Sequence, residues 1–226
     1  PEDNLQAIHD DQYSNWFYTD IMARGKYPAY MDATLTSWGL KSRWNRVIWI
    51  SSRPIRSISC PSRTTSPRFP PVTSWEKTAG NLVMANKNPY LETSEWGWQL
   101  DPLGLRITLN QMYDRYGLPL YIAENGLGTS DTLEADGTVH DEYRIDYIRQ
   151  HVAALKEAVI DGVDVRGYMI WGFLDLVACG PLTMDKRYGL IYVDLDNCGK
   201  GTAKRYKKDS FYWYQKCIES NGKNLE

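Results

Sequence analysis

A carboxylate at the end of a short apolar run is the residue of this sequence best placed to do chemistry. Residues 118–123 are mostly apolar, and Glu124 follows them. Asn125-Gly126 comes next, and Gly128 lies two residues further on. Asn-Gly is a turn signal, and glycine allows unusual backbone angles, so the chain is expected to turn away just after the carboxylate. The pattern predicts that Glu124 lies at the tip of a buried strand. The alternative is that Glu124 caps the turn or pairs with a lysine.

The composition bounds the classes of function that this carboxylate can serve. The chain has 226 residues, 42% of them hydrophobic, and a net charge of −2. The near-neutral charge argues against a nucleic-acid surface, and the sequence has neither an apolar run of about 18 residues nor a signal peptide at Pro1. The four cysteines lack metal-ligand spacing, so we expect reduced thiols in a cytoplasmic protein without metal or cofactor. Nine Trp and sixteen Tyr suit either an ordinary core or stacking against sugar rings.

Helical and strand-like segments alternate along the chain. Apolar spacing predicts helices over residues 3–24, from about Leu105 to Tyr116 with a stop at Gly117, over residues 141–162 and over residues 208–220. Strand patterns end at Glu124 and run from Arg166 towards Asp175, and Tyr188 to Asp194 resembles one arm of a hairpin. This alternation is typical of a parallel α/β architecture, in which a polar residue at the carboxyl end of a barrel strand is catalytic. His151 falls within a helical segment and is expected to be structural.

The periodicity also predicts which side chains face inward. The first helix and the last helix should each bury one apolar face. The 141–162 helix should bury an apolar repeat made of Ile145, Ile148, Val152, Leu155 and Val159. The predicted inward residues of the first helix are Leu5, Ile8, Tyr13, Trp16, Phe17 and Ile21, and those of the last are Phe211, Tyr214 and Ile218.

Residues 37–74 do not fit this pattern. Ser, Arg and Pro cluster there, and residues 47–50 are the one candidate strand. A structureless loop of this length is uncommon inside a compact domain. One hypothesis is a flexible basic insertion. The other is a slip of the reading frame near Trp44-Asn45-Arg46, which can be checked by translating the coding DNA in all frames.

Several segments together resemble glycoside hydrolase family 1. Tyr121 to Gly126 is similar to the nucleophile motif of that family, and four further segments occur in family order. These segments are the helix 3–24, the Trp-rich stretch Glu95 to Pro102, the strand before Trp171 and the last hairpin. The resemblance covers residues 1–36 and about 79–226. It implies that residues 1–226 form a single partial domain, the C-terminal half of a (β/α)8 TIM barrel.

The family resemblance also implies a mechanism. Family members are retaining glycosidases, which use one carboxylate as nucleophile and a second carboxyl as general acid/base. Glu124 corresponds to the nucleophile, and Trp171 to the aromatic platform beside the reacting sugar. The acid/base glutamate of the family lies in an Asn-Glu-Pro motif, and no Asn-Glu-Pro occurs in this chain. The sequence therefore holds one half of the catalytic pair.

A third set of residues bears on the substrate. Phosphoglycosidases of the family bind a 6-phosphate with a Lys-x-Tyr pair, which Lys186 and Tyr188 match, and with a Ser at the position where plain β-glucosidases carry a Glu. Ala178 stands at that position, so the repelling carboxylate and the hydroxyl are both absent. The resemblance implies a 6-phospho-β-glucosidase that acts on phosphorylated disaccharides or aryl glucosides. The alternatives are a 6-phospho-β-galactosidase, a plain β-glucosidase and an inactive sugar-phosphate-binding fragment.

Half of a barrel would also expose open strand edges. Such edges invite pairing with other strands unless they are covered. We therefore predict low solubility, or association with a second copy of the chain or with a missing half.

Overall fold

The computed structural model describes residues 2–40, 56–59, 77–78 and 85–226. The chain divides into two compact units, and the described part of the first unit is residues 2–40. The second unit contains the other described residues, including Glu124. The expectation that residues 1–226 form a single partial domain stays a prediction.

The first unit consists of three helical segments. Helix α1 spans Glu2–Asp11, a π-helical turn follows over Gln12–Trp16, and helix α2 spans Phe17–Arg24. Gly25 ends α2 in the left-handed conformation (φ 66°), so the predicted 3–24 helix and its stop are confirmed. Helix α3, Ala29–Ser37, begins after Pro28 and was not predicted.

The predicted inward face of the first helix is wrong in its N-terminal part. Leu5 and Ile8 are more than half exposed, whereas Trp16 is buried. The π-helical turn accounts for the difference, because an i→i+5 turn holds an extra residue and shifts the phase of everything before it. Trp16 donates its indole N–H to Asp11, and the buried Asp20 accepts from the Tyr30 hydroxyl at 3.0 Å.

The second unit is organised around a parallel sheet of three strands. Strands β1 (Arg56–Ser59), β4 (Leu120–Asn125) and β5 (Val165–Ile170) pair in the order β1-β4-β5. The central strand therefore carries Glu124, as the sequence predicted. Leu120 and Ile122 are completely buried, and they anchor this strand in the core.

Two helices follow the predicted pattern closely. Helix α4, Pro102–Tyr116, starts at Asp101, whose side chain accepts from the Gly104 N–H at 2.8 Å, and stops at the left-handed Gly117. Helix α5, Glu142–Ile160, connects β4 to β5 and buries Ile145, Ile148 and Val152. Val159 is 47% exposed, and its neighbour Ala158 is buried instead, so the predicted apolar repeat breaks in the last turn.

The last part of the chain is a hairpin followed by a helix, as predicted. Strands β6 (Ile191–Val193) and β7 (Arg205–Lys207) are antiparallel, and helix α6 spans Asp209–Glu219. The predicted inward face of α6 is rotated: Ser210, Trp213 and Cys217 are buried, Phe211 and Tyr214 pack beside them, and Ile218 is 62% exposed. The prediction of the inward face left out Trp213, which is buried in the structure.

A hydrophobic cluster joins these elements. It combines residues of α5 and α6 with one residue that precedes β6. Its buried members are Ile145, Ile148, Val152, Leu190, Trp213 and Cys217.

No helix within the described residues is long and apolar enough to cross a membrane.

The atypical segment 37–74 lies largely outside the described residues. This applies to residues 47–50 and to residues 44–46, where the reading-frame hypothesis was placed. Within the segment, Arg56–Ser59 forms β1, a strand that the sequence analysis missed. The strand was missed because Ile58 is its one apolar residue, so the segment shows no apolar alternation. Two further short strands, β2 (Lys77–Thr78) and β3 (Ala85–Asn86), pair with each other.

Candidate active site

The backbone around Glu124 links the ends of strands β4 and β5. Glu124 is half-buried, and the register of β4 shifts beside it on both sides. The pairing continues past the end of β5, because the Trp171 N–H donates to the Asn125 carbonyl at 2.8 Å. The Asn125 side chain is fixed by the Tyr168 hydroxyl, which donates to Oδ1 at 2.7 Å. Glu124 and Trp171 thus lie at neighbouring carboxyl ends of parallel strands.

The glycines after Glu124 serve close packing. Neither Gly126 nor Gly128 has a positive φ, so the expectation of an unusual backbone angle at Gly128 is wrong. A Cβ on Gly126 would lie 3.0 Å from the Cβ of Trp171, and a Cβ on Gly128 would lie 2.6 Å from Cε of Lys186. The absence of a side chain at Gly128 is therefore what admits Lys186 to this loop.

A short antiparallel bridge attaches the same loop to the segment of Lys186 and Tyr188. The Thr129 N–H donates to the Arg187 carbonyl at 3.0 Å, and the Arg187 N–H donates back at 2.8 Å. Residues 186–188 therefore run alongside the chain that leaves Glu124. The described contacts connect Glu124 to Trp171, Lys186 and Tyr188 through the backbone of residues 125–129.

Three aromatic rings surround the Lys186 ammonium. Nζ lies 4.1 Å from the ring centre of Trp98, 5.2 Å from that of Trp96 and 5.6 Å from that of Tyr188. Such distances allow cation–π attraction. Both tryptophans belong to the Trp-rich stretch, for which the sequence left packing and a substrate role open. The structure places their rings against the predicted phosphate-binding lysine.

Burial changes the acid–base properties of this pair. Lys186 is only 4% exposed, and burial lowers the pKa of its ammonium. The negative charge of Glu95 has a smaller effect, which raises that pKa. Burial also raises the pKa of Tyr188, with a smaller effect from Cys179 in the same direction, so the phenol keeps its proton. The pair offers a cation and an O–H donor, a combination that suits a phosphate dianion.

Ala178 occupies a tight turn that leads towards Lys186. Its N–H donates to the Thr183 carbonyl at 2.9 Å, and its side chain is buried. Gly172, next to Trp171, packs on Tyr188, since a Cβ there would lie 3.1 Å from the Cβ of Tyr188. The turn, the tryptophan and the lysine–tyrosine pair thus form one neighbourhood beside the β4 end.

Behind this neighbourhood lies a group of buried charges that the sequence analysis did not predict. We call it the charge cluster. Its members are Asp131, Asp141, Arg144, Asp175, Arg187 and Lys208, whose side chains are at most 7% exposed. It contains three carboxylates and three cations.

The charge cluster fixes the backbone of the candidate site. Arg144 donates to the Leu127 carbonyl and forms a salt bridge to Asp131 at 2.9 Å. Lys208 bridges Asp131 and Asp175, and Arg187 pairs with Asp175 at 3.1 Å. Burial alone would raise the pKa of Asp131, but Arg144 and Lys208 outweigh it and hold that pKa below its ordinary value.

Comparisons with known proteins identify the family of this chain. The sequence model of glycosyl hydrolase family 1 matches residues 1–223, so the chain belongs to that family. It is 45% identical over 235 aligned residues to an aryl-phospho-beta-D-glucosidase of Bacillus subtilis (strain 168) and 44% identical over 230 to a 6-phospho-beta-glucosidase of Escherichia coli (strain K12). Both alignments cover 100% of this chain and 48% of the relative.

A solved structure supports the fold. The family 1 beta-glucosidase of Thermotoga maritima matches with a TM-score of 0.56 and 33% sequence identity, over 62% of this chain and 31% of that one. This likeness confirms the predicted α/β fold and its place in the (β/α)8 barrel of the family. The chain spans about half the length of the curated relatives that it matches.

Proposed function

We propose that this chain contributes the nucleophile and phosphate-binding half of a retaining glycosidase for 6-phospho-β-glucosides. The observation that carries the proposal is the joining of two predicted sites by one loop. Glu124 is the last residue but one of the central strand, and four residues later the Gly128–Thr129 loop packs and hydrogen-bonds along Lys186 to Tyr188. The names of the two aligned relatives, which specify phosphorylated glucosides, support the same substrate class.

The proposed reaction has two displacements at the anomeric carbon. A carboxylate oxygen of Glu124 attacks C1, and the bond from C1 to the leaving-group oxygen breaks, so that the aglycone departs as an alkoxide or aryloxide, which takes a proton from water if it is basic enough. Water then attacks C1 of the glycosyl ester and loses a proton to the solvent, the Glu124 carboxylate leaves, and the product is the 6-phosphosugar. Trp171 stacks against the sugar, while Lys186 and Tyr188 bind its phosphate. We place this reaction in the cytoplasm, where imported sugar phosphates are found.

An activated substrate tests the role of Glu124. An aryl 6-phospho-β-glucoside with a good leaving group needs little acid assistance, so the chain should release a burst of aryl alcohol and gain the mass of one phosphosugar. Glu124→Gln should abolish both signals, because an amide is a poor nucleophile. Glu134→Gln, at an exposed loop carboxylate, is the matched control and should leave the burst unchanged. Equal bursts from the Glu124→Gln and unmutated chains would reject the nucleophile assignment.

The second candidate is a protein that binds sugar phosphates without hydrolysing them. The observation in its favour is the lack of an Asn-Glu-Pro motif in the sequence of this chain. Binding of glucose 6-phosphate with no burst from the activated substrate would support this alternative. The choice between gluco and galacto substrates and the association with a second copy stay predictions.

A further inference from the structure

Glu95 is an acidic residue beside the phosphate-binding pair that the proposed mechanism does not use. Its carboxylate accepts from the Ser130 N–H, two residues after Gly128. The same oxygen accepts from the indole N–H of Trp96 at 3.1 Å. The side chain therefore ties the Trp-rich stretch to the loop that follows Glu124, although it is itself exposed.

Trp96 contacts both this carboxylate and Lys186. The indole N–H of Trp96 donates to Glu95, and the centre of the Trp96 ring lies 5.2 Å from the Lys186 ammonium. The electrostatic effect of Glu95 on Lys186 opposes that of burial. Among the described groups, the titratable side chains around Lys186 are Glu95 and Tyr188, with Cys179 acting on Tyr188.

An anion that binds Lys186 would lie in the electrostatic field of Glu95, whose charge acts on this ammonium. In the absence of substrate, the carboxylate favours the charged form of the lysine. Once a phosphate dianion is bound to Lys186, the same carboxylate is a like charge and repels it. Glu95 is also held in place by two hydrogen-bond donors, which restrict its withdrawal.

We propose that Glu95 is a specificity-determining residue that limits the affinity of this site for the 6-phosphate. The proposal deepens the proposed function and rests on Lys186 as the phosphate-binding cation. It predicts that removal of the Glu95 charge strengthens the binding of phosphorylated sugar without strengthening that of the uncharged sugar.

The binding experiment compares glucose 6-phosphate with glucose, using the fluorescence of the tryptophans near Lys186 or calorimetry. Glu95→Gln keeps an oxygen that can accept from Ser130 and Trp96 but removes the charge. Its affinity for glucose 6-phosphate should rise by roughly 3- to 10-fold, and its affinity for glucose should stay the same. The exposed Glu92, four positions before Trp96, provides the control variant Glu92→Gln, which should change neither affinity. An unchanged preference for the phosphorylated sugar in Glu95→Gln would overturn the proposal.

A measurement on the chain without substrate separates this proposal from the proposed function. The pKa of Lys186 can be followed by NMR of its ε-carbon, with Lys186→Arg used to assign the signal. Glu95→Gln should lower that pKa, because the neighbouring negative charge is gone, whereas Glu92→Gln should not move it. If the pKa of Lys186 is unchanged in Glu95→Gln, the proposed role of Glu95 is wrong. If no variant binds glucose 6-phosphate, the phosphate site of the proposed function fails, whatever the pKa measurement shows.

Discussion

At the scale of single residues, Gly128 shows how a missing side chain shapes the candidate site. A Cβ at this position would lie 2.6 Å from Cε of Lys186 and 2.7 Å from Cε1 of Tyr188. Both distances are far below van der Waals contact, and both partners are packed by other groups. The glycine is therefore required by the two side chains that are proposed to bind phosphate.

A methyl group at Gly128 should weaken the binding of phosphorylated sugar. We expect Gly128→Ala to displace Lys186 and Tyr188, since neither side chain can stay in place beside a Cβ. The affinity for glucose 6-phosphate, measured by calorimetry, should fall by roughly tenfold or more, the scale of one charge-assisted contact. Gly180→Ala is the matched control, because a Cβ there meets nothing within 4 Å. Equal affinities in the two variants would contradict the crowding argument.

The sequence predicted the candidate residues of this site but not what surrounds them. Glu124, Trp171, Lys186 and Tyr188 were proposed because their motifs are local in sequence. The enclosure of Lys186 by Trp96 and Trp98 joins positions about 90 residues apart. The density of tryptophan was the available signal, but aromatic residues pack under loops as readily as they line binding sites. The partner of the Trp-rich stretch could not be predicted from the stretch itself.

At the scale of elements, helix α5 contains a buried histidine that should make folding sensitive to pH. His151 is 4% exposed, and its Nδ1 lies 2.7 Å from the Tyr147 carbonyl. Burial lowers the pKa of His151 to about 4. The structural role predicted for this residue agrees with its position inside the helix packing.

The expected effect is a loss of stability as the pH falls. Between the ordinary pKa of about 6.5 and the folded value of about 4, the unfolded chain binds a proton that the folded chain does not. The unfolding free energy should therefore be unaffected by His151 above pH 6.5 and decrease by up to about 3 kcal/mol as the pH falls to 4. Urea titrations across this range should show the decrease, and His151→Leu should remove the part due to this residue.

The exposed His140 provides a control of opposite sign for this pH experiment. Its pKa is raised, chiefly by the hydrogen bond to Asp209. Protonation of His140 therefore favours the folded state at low pH, and that contribution is lost as the pH rises through its folded pKa. His140→Gln should leave the decrease between pH 6.5 and 4 as steep as before, because the His140 contribution is constant below the ordinary pKa of histidine. A shallower decrease in His140→Gln, or an unchanged one in His151→Leu, would contradict the assignment.

The elements themselves were largely predictable, and the exceptions have local causes. Helices α4 and α5 have apolar periodicity and defined ends, so their bounds were found to within a few residues. Helix α3 was missed because its apolar residues show little helical spacing, and Pro28 was its main signal. The inward faces of α1 and α6 were mispredicted because of a π-helical turn and a dominant tryptophan, neither of which is encoded in a simple period.

At the scale of the whole molecule, the charge cluster holds the second unit together around the candidate site. Lys208 pairs with Asp131, 77 positions earlier in the chain, and Asp175 connects Lys208 to Arg187. Charges so far apart in sequence give no periodic or motif signal, which is why the cluster was not predicted. It joins the loop after Glu124, the start of α5, the loop after β5 and the start of α6.

Removal of one member should destabilise the protein strongly. Arg144→Met leaves Asp131 and Asp141 buried with one cation fewer, and breaking a buried pair in this way costs about 3–5 kcal/mol. Urea unfolding followed by circular dichroism measures the change. Arg166→Gln removes the exposed pair with Asp164 and should cost less than about 1 kcal/mol. Similar losses in the two variants would show that the cluster is not a principal source of stability.

The even balance of three acids and three bases has a consequence for the evolution of this domain. Any single exchange that removes or reverses one of these charges leaves an unpaired charge in surroundings that cannot hydrate it. Divergence there should proceed by compensating pairs, with an acid and its basic neighbour lost or swapped in concert. A combinatorial library randomised at a single position of the six should return mostly the parental amino acid among its folded survivors.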